Sequence, residues 1–506
     1  MSLSPKEHFQ RTKELAESLS KSAIYDWLVT KGYFPEAYVL PPCFTVTKYP
    51  VFGKVYFPYT KTKFKPEISE FQQVHFPKTE LTDRTFGIID PKIHSDIAFT
   101  ISDNWSQVID CLFNKDNQVC SYSFPIPLNH KMAGEIGELR SGRMIYEFIE
   151  MAENDVAAIA FRYKYLIKTD IKNFYPSIYT HSIPWALHDK VIIRQPNKRN
   201  DYEFIGNRLD KLFQNANDGC TNGIPIGPVV SDLISEIVLS GVDRELSKSI
   251  NQDVIVVRFK DDYRILAKSE SSGRSVVKAL QSALKSYRLE LNDGKTASYR
   301  LPSGLFRNWV SEYHSANPHP KSSYDFKRFK EVYLSVIEID KKNSGCGVID
   351  RFLADIITKQ DKIRIKKLDN RSLIKTISLL LMLADLRTKS FPKILAIIEA
   401  IIKSPFGSKH IDLIFEHLEE FLVELKSEEM NNRYLITWII YFIRANSLES
   451  KLKDSSYQFT DPIVCATYND KFTAFNEHED FEIFSSVKTI AKKITMLEHL
   501  DVFKPQ

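Results

Sequence analysis

The segment VIVVRF-KDD-YRILA (residues 254–267) constrains this chain more than any other. Two runs rich in β-branched residues flank Lys260, Asp261 and Asp262, which predicts a β-hairpin whose tight turn presents paired carboxylates. Taken alone, an Asp-Asp pair in a turn is most often turn chemistry. A second acidic position changes its weight, because Asp170 closes another apolar strand in YLIKTDIKNFYPSI (165–178). Phosphoryl transfer uses two divalent ions about 4 Å apart, one at the attacking oxygen and one at the leaving group. Carboxylates from two strands plus one backbone carbonyl suit hard ions that keep several waters. Asp170, Asp261 and the Ile171 carbonyl form such a set.

Two further segments fit the same chemistry. In TNGIPIGPVVSDLISEIVL (221–239), Gly223, Pro225 and Gly227 shape a loop that lets backbone approach a nucleotide before an apolar helix begins. In LELNDGKTASY (289–299), Lys295 follows a turn and can neutralise or protonate a pyrophosphate leaving group. Each alone reads equally as an ordinary loop or a surface lysine. Their order and spacing relative to Asp170 and Asp261 give them weight.

With 506 residues and 43% hydrophobic content, the chain has material for two or three domains, each with a core. No apolar stretch is long enough to span a bilayer, and the first residues are charged and amphipathic, so a soluble cytoplasmic protein is expected. Six dispersed cysteines without a CxxC pair signal neither zinc nor a disulfide framework and read as mostly buried thiols. Lys plus Arg exceed Asp plus Glu by only 69 to 64, which excludes a dedicated duplex binder and confines nucleic-acid contact to a local groove.

Residues 1 to about 120 are rich in Pro and aromatics and predict short elements. From about 120 to 305, strand-like runs alternate with helical stretches, which predicts an α+β domain. Beyond 310 apolar residues recur at helical spacing. Ile394, Ile397, Ile398 and Ile401 mark one helix, and Ile414, Leu418, Phe421, Leu422 and Leu425 the next. Pro392 and Pro405 fall at the joins. A solenoid or compact bundle follows, without a strict repeat. The basic stretch 359–371 reads as a solvated helix face or as a guide for a polyanionic product.

The succession D-x-x-x-F-Y-P-S-I, G-x-P-x-G-x-x-x-S, F-x-D-D and L-N-x-x-K-T resembles motifs A to D of reverse transcriptases over about residues 120–300. FYPSIYTHSIPWALHDK and GIPIGPVVSDLISE are similar to the abortive-infection (Abi) polymerases of bacteria, in the form carried by P2-like prophages. The resemblance implies α+β reverse-transcriptase-like fingers and palm over 1–305, with 1–120 part of the fingers, followed by an all-α HEAT-like repeat domain over 306–506. It implies Asp170, Ile171 and Asp261 as metal ligands for two Mg2+ ions, with Mn2+ as an alternative. Asp262 becomes the supporting carboxylate, and Lys295 a group near the leaving pyrophosphate. Tyr175 falls at the steric gate against a ribose 2′-hydroxyl, and Gly223, Pro225 and Gly227 border the nucleotide. Lys131, Arg140 and Arg143 precede motif A where fingers residues hold a triphosphate, with Arg143 the nucleotide-binding candidate.

Phe259 stands in place of the tyrosine of Y-x-D-D, Ile226 in place of the glutamine of P-Q-G, and no primer grip follows residue 300. With the resemblance, these departures imply protein-primed, template-independent synthesis of single-stranded DNA covalently attached to the chain. Deoxynucleoside triphosphates are the implied substrates, a homo-oligomer the implied assembly, and antiphage defence in the bacterial cytoplasm the implied role. Tyr25, Tyr33, Tyr38 and Tyr49 are the priming candidates by position. A retron-like, template-dependent reverse transcriptase and a non-catalytic scaffold are the competing readings.

Overall fold

The computed structural model describes residues 4–78, 82–125, 152–320, 322–357, 363–366, 369–453, 457–475 and 478–500. Lys131, Arg140 and Arg143 lie outside them. The chain divides into two compact units. The first comprises Met1–Pro35, Lys48–Gln73 and Phe86–Phe306; the second comprises Glu36–Thr47, Val74–Thr85 and Arg307–Gln506.

Helices α1 (Pro5–Glu17), α2 (Lys21–Val29), α3 (Pro91–Asp103) and α4 (Trp105–Leu112) precede the central sheet of the first unit. Between α2 and α3 in sequence fall two short ladders, β1 (Tyr59–Thr60) with β2 (Lys63–Phe64), and β3 (Gln72–Pro77) with β4 (Asp83–Ile88), the latter lying mostly in the Val74–Thr85 segment of the second unit. Strands β5 (Val119–Ser121), β6 (Tyr165–Asp170), β7 (Val254–Phe259), β8 (Asp262–Ala267) and β9 (Ala297–Arg300) then lie in the order β5-β7-β8-β6-β9. Only the β5–β7 pair is parallel; β7–β8, β8–β6 and β6–β9 are antiparallel. The expected hairpin forms with Phe259 opposite Asp262 and a two-residue turn at Lys260–Asp261.

Both faces of the central strands β6, β7 and β8 are buried, which explains why these read as largely apolar runs, while the edge strand β9 is mostly exposed. Ile167, Val256 and Ile265 belong to the core on one face, while Leu166, Val257 and Leu266 belong to a smaller cluster on the other. The period of two along each strand assigns neighbours to opposite sides. Helices α5 (Phe174–Ser177), α6 (Ser182–His188), α7 (Lys190–Ile193) and α8 (Ile205–Asn215) follow β6. Next come α9 (Val229–Ser247), before the hairpin, and α10 (Glu270–Ser286), after it. In α9 every residue except Arg244 and Glu245 is buried, so this helix runs through the middle of the unit.

From residue 308 onward all the elements of four or more residues among the described residues are helical: α11 (Asn308–Ala316), α12 (Phe326–Lys342), α13 (Val348–Asp355), α14 (Asn370–Leu386), α15 (Phe391–Ile402), α16 (Ile411–Ser427), α17 (Glu429–Ala445), α18 (Pro462–Asn469), α19 (Val487–Ala491) and α20 (Met496–His499), with short 3-10 turns between. Asp325 and Asp369 cap α12 and α14 by accepting the N–H of Arg328 and Ser372. Pro392 sits in the first turn of α15, where its missing N–H costs nothing. The helix-face reading of 359–371 needs correcting at its described centre. Ile363 and Ile365 form isolated bridges with Ile357 and Tyr324, and Arg364 donates its N–H to the Ile356 carbonyl at 2.7 Å. An alternating Ile-Arg-Ile pattern favours extended backbone, and α14 begins only at Asn370.

All six cysteines are free thiols, with Cys43, Cys111 and Cys120 buried, Cys220 exposed and the other two half-buried. No helix among the described residues is long and apolar enough to cross a membrane.

Candidate active site

Strand β6 ends at Asp170 directly opposite Asp262, the first residue of β8. The next residue, Ile171, donates its N–H to the Asp261 carbonyl at 3.2 Å, which fastens the end of β6 to the hairpin turn. On the other side the Asp170 carbonyl accepts the Asn292 N–H at 2.8 Å, and Lys172 donates its N–H to Glu290 at 2.9 Å. These bonds bring the turn at 293–295 up beside β6. The Lys295 ammonium thereby reaches Asp170 Oδ2 at 2.6 Å.

Asp170, Ile171, Asp261, Asp262 and Lys295 therefore form one cluster, although up to 125 residues separate them in sequence. Asp170 is 7% exposed, and its Oδ1 is buried without a hydrogen-bond partner. Leaving a buried carboxylate oxygen unsatisfied is costly unless a further positive group completes it. Asp262 is accessible to solvent on one side yet crowded by protein on the others. That crowding, followed by the charges of Asp261 and Asp170, pushes its carboxyl up to about 6. The hydrogen bond to Asp170 holds the Lys295 ammonium above the ordinary lysine range.

Such a group of oxygens fits a hard divalent cation. Asp170 Oδ1 is the atom that asks for one, and the charges of Asp261 and Asp170 both act on Asp262 nearby. Among the described residues no three His, Cys, Asp or Glu side chains close into a metal cage.

The α5 segment after Asp170 carries Tyr175, which is half-buried and hydrogen-bonded through its hydroxyl to Asp232 of α9. Burial first, and the Asp232 charge second, push this phenol far up. Lys260 of the turn donates to the same Asp232 at 3.3 Å. Gly223 and Ile224 donate their N–H groups to Ile178 and Tyr175 at 2.9 and 3.2 Å, so the glycine loop lies along the α5 segment.

Gly223 has φ +85°, and a Cβ there would lie 3.2 Å from the Pro176 carbonyl oxygen. Gly227 has φ +120°, and a Cβ there would meet Pro35 at 2.8 Å and Phe86 at 3.0 Å. Any other residue is strained at either position. Pro225 stands against Gly87, and the Ile226 carbonyl accepts the Gly87 N–H at 2.9 Å.

Behind the turn lies a set of residues that sequence reasoning missed. Arg258, 2% exposed, donates in bidentate fashion to Glu236 at 3.0 Å twice and through Nε to Asp243 at 2.9 Å. Tyr263 donates to the other Asp243 oxygen at 2.8 Å, and Ser121 and Ser123 donate to Glu236 at 3.0 and 2.8 Å. Burial alone would raise Glu236, but the guanidinium more than offsets it and holds the carboxyl below its usual range. The network also grips the turn. Lys260 has a left-handed φ of 49°, its N–H donates to Ser123 Oγ at 2.6 Å, and its carbonyl accepts Arg258 Nη1 at 3.1 Å. A sequence signal existed, since Asp232, Glu236 and Asp243 are acids at offsets of four and seven in a helix whose run up to Asp243 holds otherwise only apolar residues, serines and one glycine.

Residues 124–326 match the family model for reverse transcriptase (RNA-dependent DNA polymerase). That segment is a reverse-transcriptase domain, and the chain is a reverse-transcriptase-like nucleotidyltransferase. Domains of this family use divalent metals and bind nucleotides and nucleic acid. Among solved structures, apo telomerase from Candida tropicalis is similar at 13% identity and TM-score 0.32, over 77% of this chain and 71% of that one. Telomerase from Candida albicans in complex with a TWJ fragment of telomeric RNA is similar at 11% identity and TM-score 0.28, over 69% and 64%. No curated protein matches the chain.

Proposed function

We propose that the chain is a two-metal DNA polymerase that primes on its own hydroxyl and extends single-stranded DNA without a template. The observation that carries the polymerase chemistry is the strand register that sets Asp170 opposite Asp262 beside the Asp261 turn, with one Asp170 oxygen buried and unsatisfied. In this reading Asp170, Asp261 and the Ile171 carbonyl hold divalent ions, with Mg2+ the best fit for an all-oxygen set. Bound there, the ions supply charge neutralisation at the attacking and leaving oxygens. Asp262 keeps the local field negative, and Lys295 stands where it can turn from Asp170 to a departing pyrophosphate. Tyr175, fixed through Asp232, offers its ring to the sugar. Gly223, Pro225 and Gly227 bring backbone close to the incoming nucleotide. Arg143 is assigned to the triphosphate from motif order alone.

Protein priming is supported by Ile226, by the missing primer grip and by the similarity to abortive-infection polymerases, which also supports antiphage defence in the bacterial cytoplasm and a homo-oligomer. The burial of the candidate tyrosines narrows the choice. Tyr25 bonds Ser95 at 2.9 Å, Tyr33 donates to the Ile89 carbonyl at 2.6 Å, and both rings are buried, so neither hydroxyl is presented for reaction. Tyr38 and Tyr49 are half-buried and stay candidates. The fingers and palm correspond to residues 1–305 and a HEAT-like array to 306–506. Incubation with dNTPs and Mg2+, without primer or template, followed by mass spectrometry of the intact protein, tests the whole reading. A ladder of nucleotide adducts supports it. A free product copied from a supplied template would replace it with the retron-like reading, and no incorporation under either condition would leave the scaffold.

A further inference from the structure

A cavity of about 620 Å³ opens among α6, α7, α8 and the end of α10, and it shares no lining residue with the carboxylate cluster. Its wall carries six cations: Lys190, Arg194, Arg199, Lys211, Lys285 and Arg288. The whole chain has an excess of only five positive charges. Among the described residues none of the six pairs with a carboxylate, and the one acid of the wall, Asp210, is already engaged by His181 at 2.5 Å and Gln214 at 2.7 Å. Six cations without an ion-pair partner around one concavity focus a positive potential there, with the charge of Glu245 acting on Lys190 from outside the wall. Burial, with Arg194 and Arg288 adding repulsion, lowers the Lys190 ammonium, as such crowding requires.

Aromatic rings alternate with these charges. Arg288 lies 4.1 Å from the Tyr179 ring centre and Lys190 lies 4.4 Å from that of Trp185, while Tyr202 adds a third ring to the wall. Cations interleaved with aromatic faces suit a ligand with both phosphates and flat bases. The cations come from α7, the loop after it, α8, the end of α10 and the residues just beyond it, so several separate elements contribute charge to the one wall.

We propose that this cavity is a second, non-catalytic site that binds nucleotidyl phosphate, supplied by a single nucleic-acid strand, with free nucleotide as the other source of the same chemistry. The site rests on the reverse-transcriptase domain's nucleic-acid chemistry and is independent of protein priming. Its test reads binding, so failure of the priming mechanism would not imitate failure of the site.

The experiment titrates a fluorescent oligothymidylate of about twelve nucleotides, by anisotropy at several salt concentrations. It compares the full chain with Arg194→Ala/Lys211→Ala/Lys285→Ala, and measures dTTP binding in parallel. The expected result is a tenfold or greater loss of strand affinity and a log–log salt slope shallower by about 2, at about 0.7 for each phosphate no longer neutralised. A charge-keeping set, Arg194→Lys/Lys211→Arg/Lys285→Arg, should restore both and so exclude misfolding as the cause. Unchanged affinity and slope in the alanine set, or a charge-keeping set as weak as it, would overturn the proposal. Loss of dTTP binding with strand binding intact would reject the strand and assign the cavity to free nucleotide.

Discussion

The two sides of the β7–β8 turn are both crowded with charge, yet they are finished differently. On the α9 side, Arg258, Glu236, Asp243, Tyr263, Ser121 and Ser123 exchange hydrogen bonds until both carboxylates are engaged. On the β6 side, Asp170 holds one oxygen against Lys295 and keeps the other buried and unsatisfied. Buried polar groups that satisfy each other fix a backbone. A buried oxygen left over marks the place where an external partner completes the site. The contrast separates the groups that hold this turn in place from the one left open to a further partner.

The comparison breaks most sharply if the unsatisfied side proves dispensable. Asp170→Asn and Asp261→Asn should each lower nucleotide incorporation on the order of 10³-fold or more, while leaving the melting temperature nearly unchanged. Single-turnover incorporation beside thermal denaturation checks this, and full activity in either variant would remove the cluster from catalysis. The satisfied side should show the reverse. Arg258→Met leaves Glu236 and Asp243 buried without their cation, and should cost about 3–5 kcal/mol in denaturant unfolding. A loss near zero would mean the network is ornamental to stability.

Tyr175 borders both sides, since it sits on α5 beside the carboxylate cluster and its hydroxyl joins Asp232. Tyr175→Ala should raise ribonucleotide use relative to deoxynucleotide use by roughly 10- to 100-fold, whereas Tyr175→Phe should keep most of the discrimination. Equal shifts in both variants would put the selectivity in the hydroxyl. The smallest effect concerns a buried cation finished differently from Arg258. In the helical unit, burial lowers the Lys393 ammonium to about 7, although it donates to the Asp350 carbonyl at 3.1 Å. Its folded pKa lies below the ordinary 10.5, so the unfolded chain holds the extra proton between those values and stability rises with pH across that window. Lys393→Met should flatten this rise and cost less than about 1.5 kcal/mol at pH 9. Denaturation at pH 7 and 9 measures both, and a stability that falls with pH would reverse the sign.

The sheet-borne part of this arrangement was legible because it is local. The runs around Lys260–Asp261, the strand ending at Asp170 and the turn before Lys295 each announce themselves within a dozen residues. The motif order then relates them. The support was not legible, because Ser121, Glu236, Asp243 and Arg258 are drawn together over more than a hundred residues by a parallel pairing that no local period encodes. A lone Arg in VIVVRF was the available hint, since a cation in a strand buried on both faces must find acids. The stretch at 359–371 misled for the opposite reason, because its charges masked a short Ile-Arg-Ile alternation. Tyr175 illustrates a third case: its place in the motif was readable, but its bond to Asp232 depends on how α5 meets α9.

The strand order also sets a timetable for making the site. β6, which carries Asp170, is flanked by β8 and β9, so its last edge is closed only once residue 300 is available, while Lys260 needs Ser123, 137 residues earlier in the chain. Pairings this distant in sequence are slow to form, because chain closure must precede any pairing that rewards it. A nascent chain that has produced Asp170, or even the Asp261–Asp262 turn, still lacks the 290–295 segment that bonds Asp170 and the β9 strand that pairs with Tyr165–Lys168. The pairing that completes the sheet therefore arrives late in synthesis, after the chain has passed Arg300.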